Sequence, residues 1–133
     1  MHAFKLNEKR EESVAVGDTH AIRFLGPEGP RVLSTPQMIG FMERTCRNLI
    51  FEMLDEGFDT VGTHVNVWHR AAAPMGATVV FTAELTEVIY DDDMRPRRAE
   101  FRVSAVAGDK LIGEGTHQRG IINVRRFKEK VTA

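Results

Sequence analysis

Between residues 35 and 54, apolar side chains recur at the spacing of a helix, and this happens nowhere else so clearly in the chain. Met38, Ile39, Met42, Cys46, Leu49, Ile50, Met53 and Leu54 fall along one stripe. Arg44, Asn48 and Asp55 lie on the opposite side. Thr35-Pro36 opens the stretch as an N-cap followed by proline at the first helical position. Gly57 closes it as a C-cap. A stripe this apolar needs a second surface to cover it.

The rest of the chain supplies that surface. Residues 60–72 alternate, with Val61, Thr63, Val65, Val67 and His69 on one face and Gly62, His64, Asn66, Trp68 and Arg70 on the other. Pro74-Met75-Gly76 makes a turn. Residues 77–90 form a second strand, with Val79, Phe81, Ala83 and Leu85 sharing a face. After the charged turn from Asp91 to Pro96, residues 97–107 form a third, with Phe101, Val103 and Ala105 together. Gly108-Asp109-Lys110 is a hairpin turn. Residues 111–127 read as a fourth strand, in which Gly113, Gly115 and Gly120 mark bulges or the close approach of another backbone. Ahead of the helix, residues 13–25 are rich in strand formers, and 26–34 form a Gly- and Pro-punctuated loop. The expected fold class is α+β. One long central helix is wrapped by a curved antiparallel sheet of about five strands, in a single domain over residues 1–133. An open sheet edge invites a second copy, so a homodimer is expected, with tetramers left open.

Composition removes several function classes. The 133 residues carry 18 Lys and Arg against 19 Asp and Glu, a net charge of -1, so no nucleic-acid partner is expected. One cysteine allows no intramolecular disulfide. Neither a signal peptide in residues 1–12 nor an apolar run of membrane-spanning length is present, so no membrane partner is expected and a cytoplasmic location is. The C-terminal stretch is locally basic, through Arg119, Arg125, Arg126, Lys128 and Lys130. A solvated edge explains it most simply; a contact for ligand phosphates is the sharper reading.

Three residues could carry chemistry. Glu43 falls between Ile50 and Leu54 on the helical wheel, about 140° from Met38, which sets a carboxylate into the shoulder of the apolar stripe. A carboxylate there reaches out to solvent, finds a partner, or becomes a base. Thr35 stands a little over two turns before it, roughly 12 Å along the axis, where free N–H groups favour an oxygen ligand. His69 shares its strand face with valines, as a satisfied core histidine would, and a histidine also serves as acid or base. His64 faces the other way, and His117 is ambiguous. Cys46 reads as an inert core thiol. No phosphate loop, dinucleotide fingerprint, nucleophile elbow or zinc-site spacing is present, so no metal and no cofactor are expected.

Taken together, these residues resemble a known family. From Val16 to about Phe127 the chain is similar to the fluoroacetyl-CoA thioesterases and their close hotdog-fold relatives. The resemblance rests on Thr35 to Cys46 (TPQMIGFMERTC), Gly62 to Gly76 (GTHVNVWHRAAAPMG), Phe81 to Leu85 (FTAEL) and Ile112 to Arg119 (IGEGTHQR). It implies a hotdog fold and hydrolysis of an acyl-CoA thioester, with coenzyme A as part of the substrate. It implies Thr35, Glu43 and His69 as catalytic residues at a dimer interface, and Gly62, Arg119 and Met42 as substrate-binding residues. The chain departs from the family where Gly26 to Ser34 is short and lacks aromatic residues, which points to an acyl group other, or broader, than fluoroacetyl. Two other readings stay open at this stage: a hotdog hydratase or dehydratase, and an acyl-CoA-binding module without turnover.

Overall fold

Ser34, rather than Thr35, caps the central helix. In the computed structural model, which describes residues 3–132, helix α1 spans Thr35–Phe51 and the Ser34 hydroxyl accepts a hydrogen bond from Gln37 N at 3.3 Å. The expectation of a Thr35 cap is corrected for a local reason. Leu33 N bonds to Ala73 O, and Ser34 N bonds to His20 O. These two bonds hold the chain extended up to Ser34, the backbone shape a capping residue needs. Gly57 is not the C-cap either. The helix ends at Phe51 with Glu52 as its cap. Gly57, at φ +88°, instead turns the chain into the first long strand, a shape that glycine adopts without strain.

Five strands cover α1: β1 (Lys9–Ala15), β2 (Phe58–His69), β3 (Thr78–Tyr90), β4 (Pro96–Ala107) and β5 (Lys110–Asn123). All neighbours are antiparallel, in the order β1-β3-β4-β5-β2, so β1 and β2 are the edges. The inward faces expected for β3 and β4 are the buried ones. Val79, Phe81, Ala83 and Leu85 meet Phe101, Val103 and Ala105 in a core completed by Met38, Met42, Cys46, Leu49 and Ile50 of α1. Gly113 lets the helix sit this close, since a Cβ there would lie 2.5 Å from Met38 Sδ. Gly115 plays the same part against the carbonyl of Asn66 on β2. No helix among the described residues is long and apolar enough to cross a membrane.

Two elements differ from expectation. The first strand lies at Lys9–Ala15, not at 13–25. Its Lys-Arg-Glu-Glu start carries no apolar period, because its inward position is filled by a charge. Glu12 accepts from Arg10 and from Arg44 and Asn48 of α1, which pins strand to helix. Residues 18–20 form a single 3-10 turn instead of continuing the strand. At the other end, β5 stops at Asn123 and residues 124–132 form a second helix, α2. Asn123 caps it, its Oδ1 accepting from Arg126 N at 3.0 Å. Val124, Phe127 and Val131 recur there at helical spacing.

Candidate active site

A β-bulge decides which residues can meet. Gly62 and His69 lie an odd number of positions apart, so strict alternation puts them on opposite faces. In β2 the register against β5 shifts between Gly62 and His64. Thr63 is the extra residue, and its hydroxyl donates to Gln118 O. Before the bulge, Thr60 and Gly62 face α1; beyond it, Val67 and His69 do. The expected face shared by Val61, Thr63, Val65, Val67 and His69 is corrected accordingly: Val61 is on the other side.

The first cluster lies at the start of α1. Because Ser34 does the capping, the Thr35 hydroxyl is free to pair with His69 Nδ1, at 2.7 Å. His69 Nε2 is buried and has no hydrogen-bond partner among the described residues. A buried polar atom left unpaired is costly and marks a place where something else binds. Both groups stand beside the first turn of α1, where peptide N–H groups point outward and favour a negatively charged oxygen.

The second cluster lies two turns further along α1. Glu43, with its side chain 37% exposed, reaches Arg119 of β5, Oε2 to Nη1 at 3.4 Å. It also presses against the Gly62 backbone. A Cβ on residue 62 would stand 2.6 Å from Oε2, so a side chain there would push the carboxylate out of this position. Arg119 is buried, with Nε donating to Thr60 Oγ1 at 2.7 Å and Nη2 to Thr60 O at 3.0 Å. Its Nη1 also approaches His117 Nε2 at 3.2 Å.

His117 is the residue that sequence reasoning missed. It is 2% exposed, and its Nδ1 lies 2.8 Å from His64 O. A carbonyl can only accept, so Nδ1 carries the proton and Nε2 accepts from the guanidinium. Burial, and then the neighbouring Arg119 charge, hold its pKa below the ordinary histidine value, although the His64 carbonyl pulls the other way. His117 is therefore a neutral acceptor that fixes the arginine facing Glu43. The signal was present: His117, Arg119 and Ile121 sit at strand spacing on one face of β5.

Of the remaining sequence candidates, Met42 is 2% exposed within the core. Cys46 is buried, and burial pushes its thiol pKa far up. Asp91 of the acidic run is spent on its own turn, accepting from Asp93 N and Arg95 N. Among the described residues, no group of His, Cys, Asp and Glu has the arrangement of a metal site.

A curled five-stranded antiparallel sheet around one central helix is the arrangement of the hotdog fold. A thioesterase-superfamily protein from Thermus thermophilus superposes at a TM-score of 0.80 with 27% identity, covering 99% of this chain and 98% of its own. A hot-dog-like protein from Thermanaerovibrio acidaminovorans shares the fold at 0.83 and 20% identity, over 96% and 90% of the two chains. The similarity narrows further. The family model for fluoroacetyl-CoA-specific thioesterase matches residues 16–125. The fluoroacetyl-CoA thioesterase of Streptantibioticus cattleyicolor is 35% identical over 96% of this chain and 91% of its own. A solved structure of a fluoroacetyl-CoA thioesterase superposes at 0.84, covering 98% and 96%. The chain belongs to the fluoroacetyl-CoA-specific thioesterase family and is a thioesterase.

Proposed function

We propose that this protein hydrolyses an acyl-CoA thioester to the free acid and coenzyme A, with the whole chain acting as one catalytic unit in a homodimer. The observation that carries the reading is the Glu43 carboxylate, held against the Gly62 backbone with Arg119 as its counter-ion. In the proposed reaction Glu43 either takes a proton from water as the water attacks the thioester carbonyl, or attacks it directly to give a glutamyl anhydride that water then cleaves to the free acid and Glu43. The carbonyl oxygen becomes negative in that step and is stabilised near Thr35, the start of α1 and the Gly62 backbone. The sulfur leaves with the electron pair of the C–S bond. His69 supplies its proton or its positive field, through the Nε2 that no other described residue engages.

Glu43 and the Thr35–His69 pair stand two turns apart in one chain, so we propose that they meet across subunits. Two features support this. The β2 edge is open, and residues 62–66 on it are exposed. The same edge carries both Gly62 and His69, so two copies paired along it in opposite directions bring Glu43 of one beside His69 of the other. The short segment before Ser34 supports an acyl group broader than fluoroacetyl. A single, buried cysteine, Cys46, suits a cytoplasmic location.

The test is thiol release across a panel of coenzyme A esters, from acetyl and fluoroacetyl to long-chain and aromatic, with Glu43→Ala alongside. Glu43 is partly exposed, and Arg119 keeps Thr60 and His117 as partners. The variant therefore folds and loses turnover. Undiminished turnover in Glu43→Ala removes the assignment. Binding without release of thiol in the wild type replaces the hydrolase with an acyl-CoA-binding module.

A further inference from the structure

A groove of about 780 Å³ opens at the far end of α1 from Thr35 and contains none of the residues assigned above. Its floor is apolar, formed by Leu54, Phe58, Ile121 and Phe127. Its rim is basic. Arg126 and Lys130, one turn apart on α2, stand on it together with Arg95 and Arg97 from the turn before β4 and its first residues. Arg97 is paired with Asp91 at 2.7 Å. Arg95, Arg126 and Lys130 have no carboxylate partner among the described residues. Asp55 is the one acid in the lining.

Cations gathered from two separate elements repel one another unless an anion joins them. The aromatic floor beside them suits a flat ring. A ligand for this groove therefore has several negative charges at one end and a planar apolar group next to them. We infer that the groove holds the nucleotide end of coenzyme A, with its phosphates on Arg126, Lys130 and Arg95 and its adenine against Phe58 and Phe127. The inference rests on the acyl-CoA reading above and assigns the part of the substrate which that reading leaves unplaced.

The spacing is right. On β5, Arg119 beside Glu43 is followed two positions later by Ile121 in the groove; on β2, Gly62 beside Glu43 is preceded by Phe58. These separations are roughly 7 and 13 Å along the strands. A phosphopantetheine arm, with about as many chain atoms as a five-residue extended peptide, spans roughly 16 Å. It can leave the thioester at Glu43 while the phosphates rest on α2. This also gives a purpose to the basic C-terminus, whose charges α2 sorts: Arg126 and Lys130 line the groove, whereas Arg125 and Lys128 do not.

The experiment compares two thioesters of one acyl group, the coenzyme A ester and the pantetheine ester, which lacks the nucleotide. In Arg126→Glu, the preference in kcat/KM for the coenzyme A ester falls by about tenfold or more, through KM. Arg125→Glu makes the same charge change on the same helix, outside the groove, and keeps the preference. Calorimetry with adenosine 3′,5′-bisphosphate provides a readout independent of turnover: the wild type binds it and Arg126→Glu does not. An unchanged preference in Arg126→Glu, or an equal loss in Arg125→Glu, overturns the inference. So does a wild type that does not bind the bisphosphate. If neither ester is hydrolysed but the bisphosphate binds and Arg126→Glu abolishes it, the groove assignment stands and the hydrolase reading falls.

Discussion

Ser34 and Thr35 are adjacent hydroxyl residues with separate jobs. Ser34 Oγ holds the end of α1, and Thr35 Oγ1 meets His69. Ser34→Ala therefore lowers stability by about 1 kcal/mol, seen as a lower Tm. Thr35→Ala changes stability by less than about 0.5 kcal/mol and removes most turnover. A Tm that drops more in Thr35→Ala than in Ser34→Ala would reverse the assignment. His117 carries a second prediction. Unfolded, it titrates near 6.5, and folded it titrates lower. The unfolded chain takes up the proton first, so the stabilisation is complete above that pH and is lost as pH falls through it toward the folded value. Glu12 and Asp59, held low by their arginine and other hydrogen-bond partners in spite of burial, lose theirs only in more acid solution. Melts between about pH 7.5 and about pH 5.5 therefore fall in the wild type and flatten in His117→Gln; parallel slopes would exclude His117 as the cause. At this scale the sequence was only partly readable. Glu43 announced itself by sitting in an apolar stripe. The duties of Thr35 and His117 depend on a neighbour's backbone and a partner's guanidinium, which no spacing encodes.

Elements were legible where their period was clean. α1, β3 and β4 bury the side chains that alternation or helical spacing assigns to them. β1 was missed because Glu12 occupies an inward position and is satisfied by α1, so its pattern lacks the apolar beat. The start of α2 was read as strand because Ile121, Ile122, Val124 and Phe127 fit either period over so short a run; the Asn123 cap broke the tie. The bulge in β2 was unreadable for a different reason. An extra residue does not change composition, and only the partner strand shows which one is surplus. Deleting Thr63 removes the bulge and leaves Gly62 and His69 an even number of positions apart, so under strict alternation both still face α1. The expected result is that thioester hydrolysis is retained, with β-sheet content unchanged by circular dichroism. Loss of turnover in the deletion variant, with the sheet intact, would mean that the bulge does more than put the two residues on one face.

For the whole molecule, β2 is both an edge and the carrier of two site residues, so assembly and activity are coupled in the proposed dimer. Asn66→Lys places a charge on the exposed edge, where it meets its own copy. The expected outcome is a shift from dimer to monomer in sedimentation together with loss of turnover. A monomer that remains fully active would show that one chain carries a complete site. The bulge also sets a rule of parity for the chain's evolution. Gly62 and His69 face α1 together when an odd separation carries one bulge or an even separation carries none, so a single residue gained or lost between them must be matched by the gain or loss of a bulge. Odd spacings should therefore go with a bulge and even spacings with an unbroken ladder, a signature that can be sought among sequences that share this site.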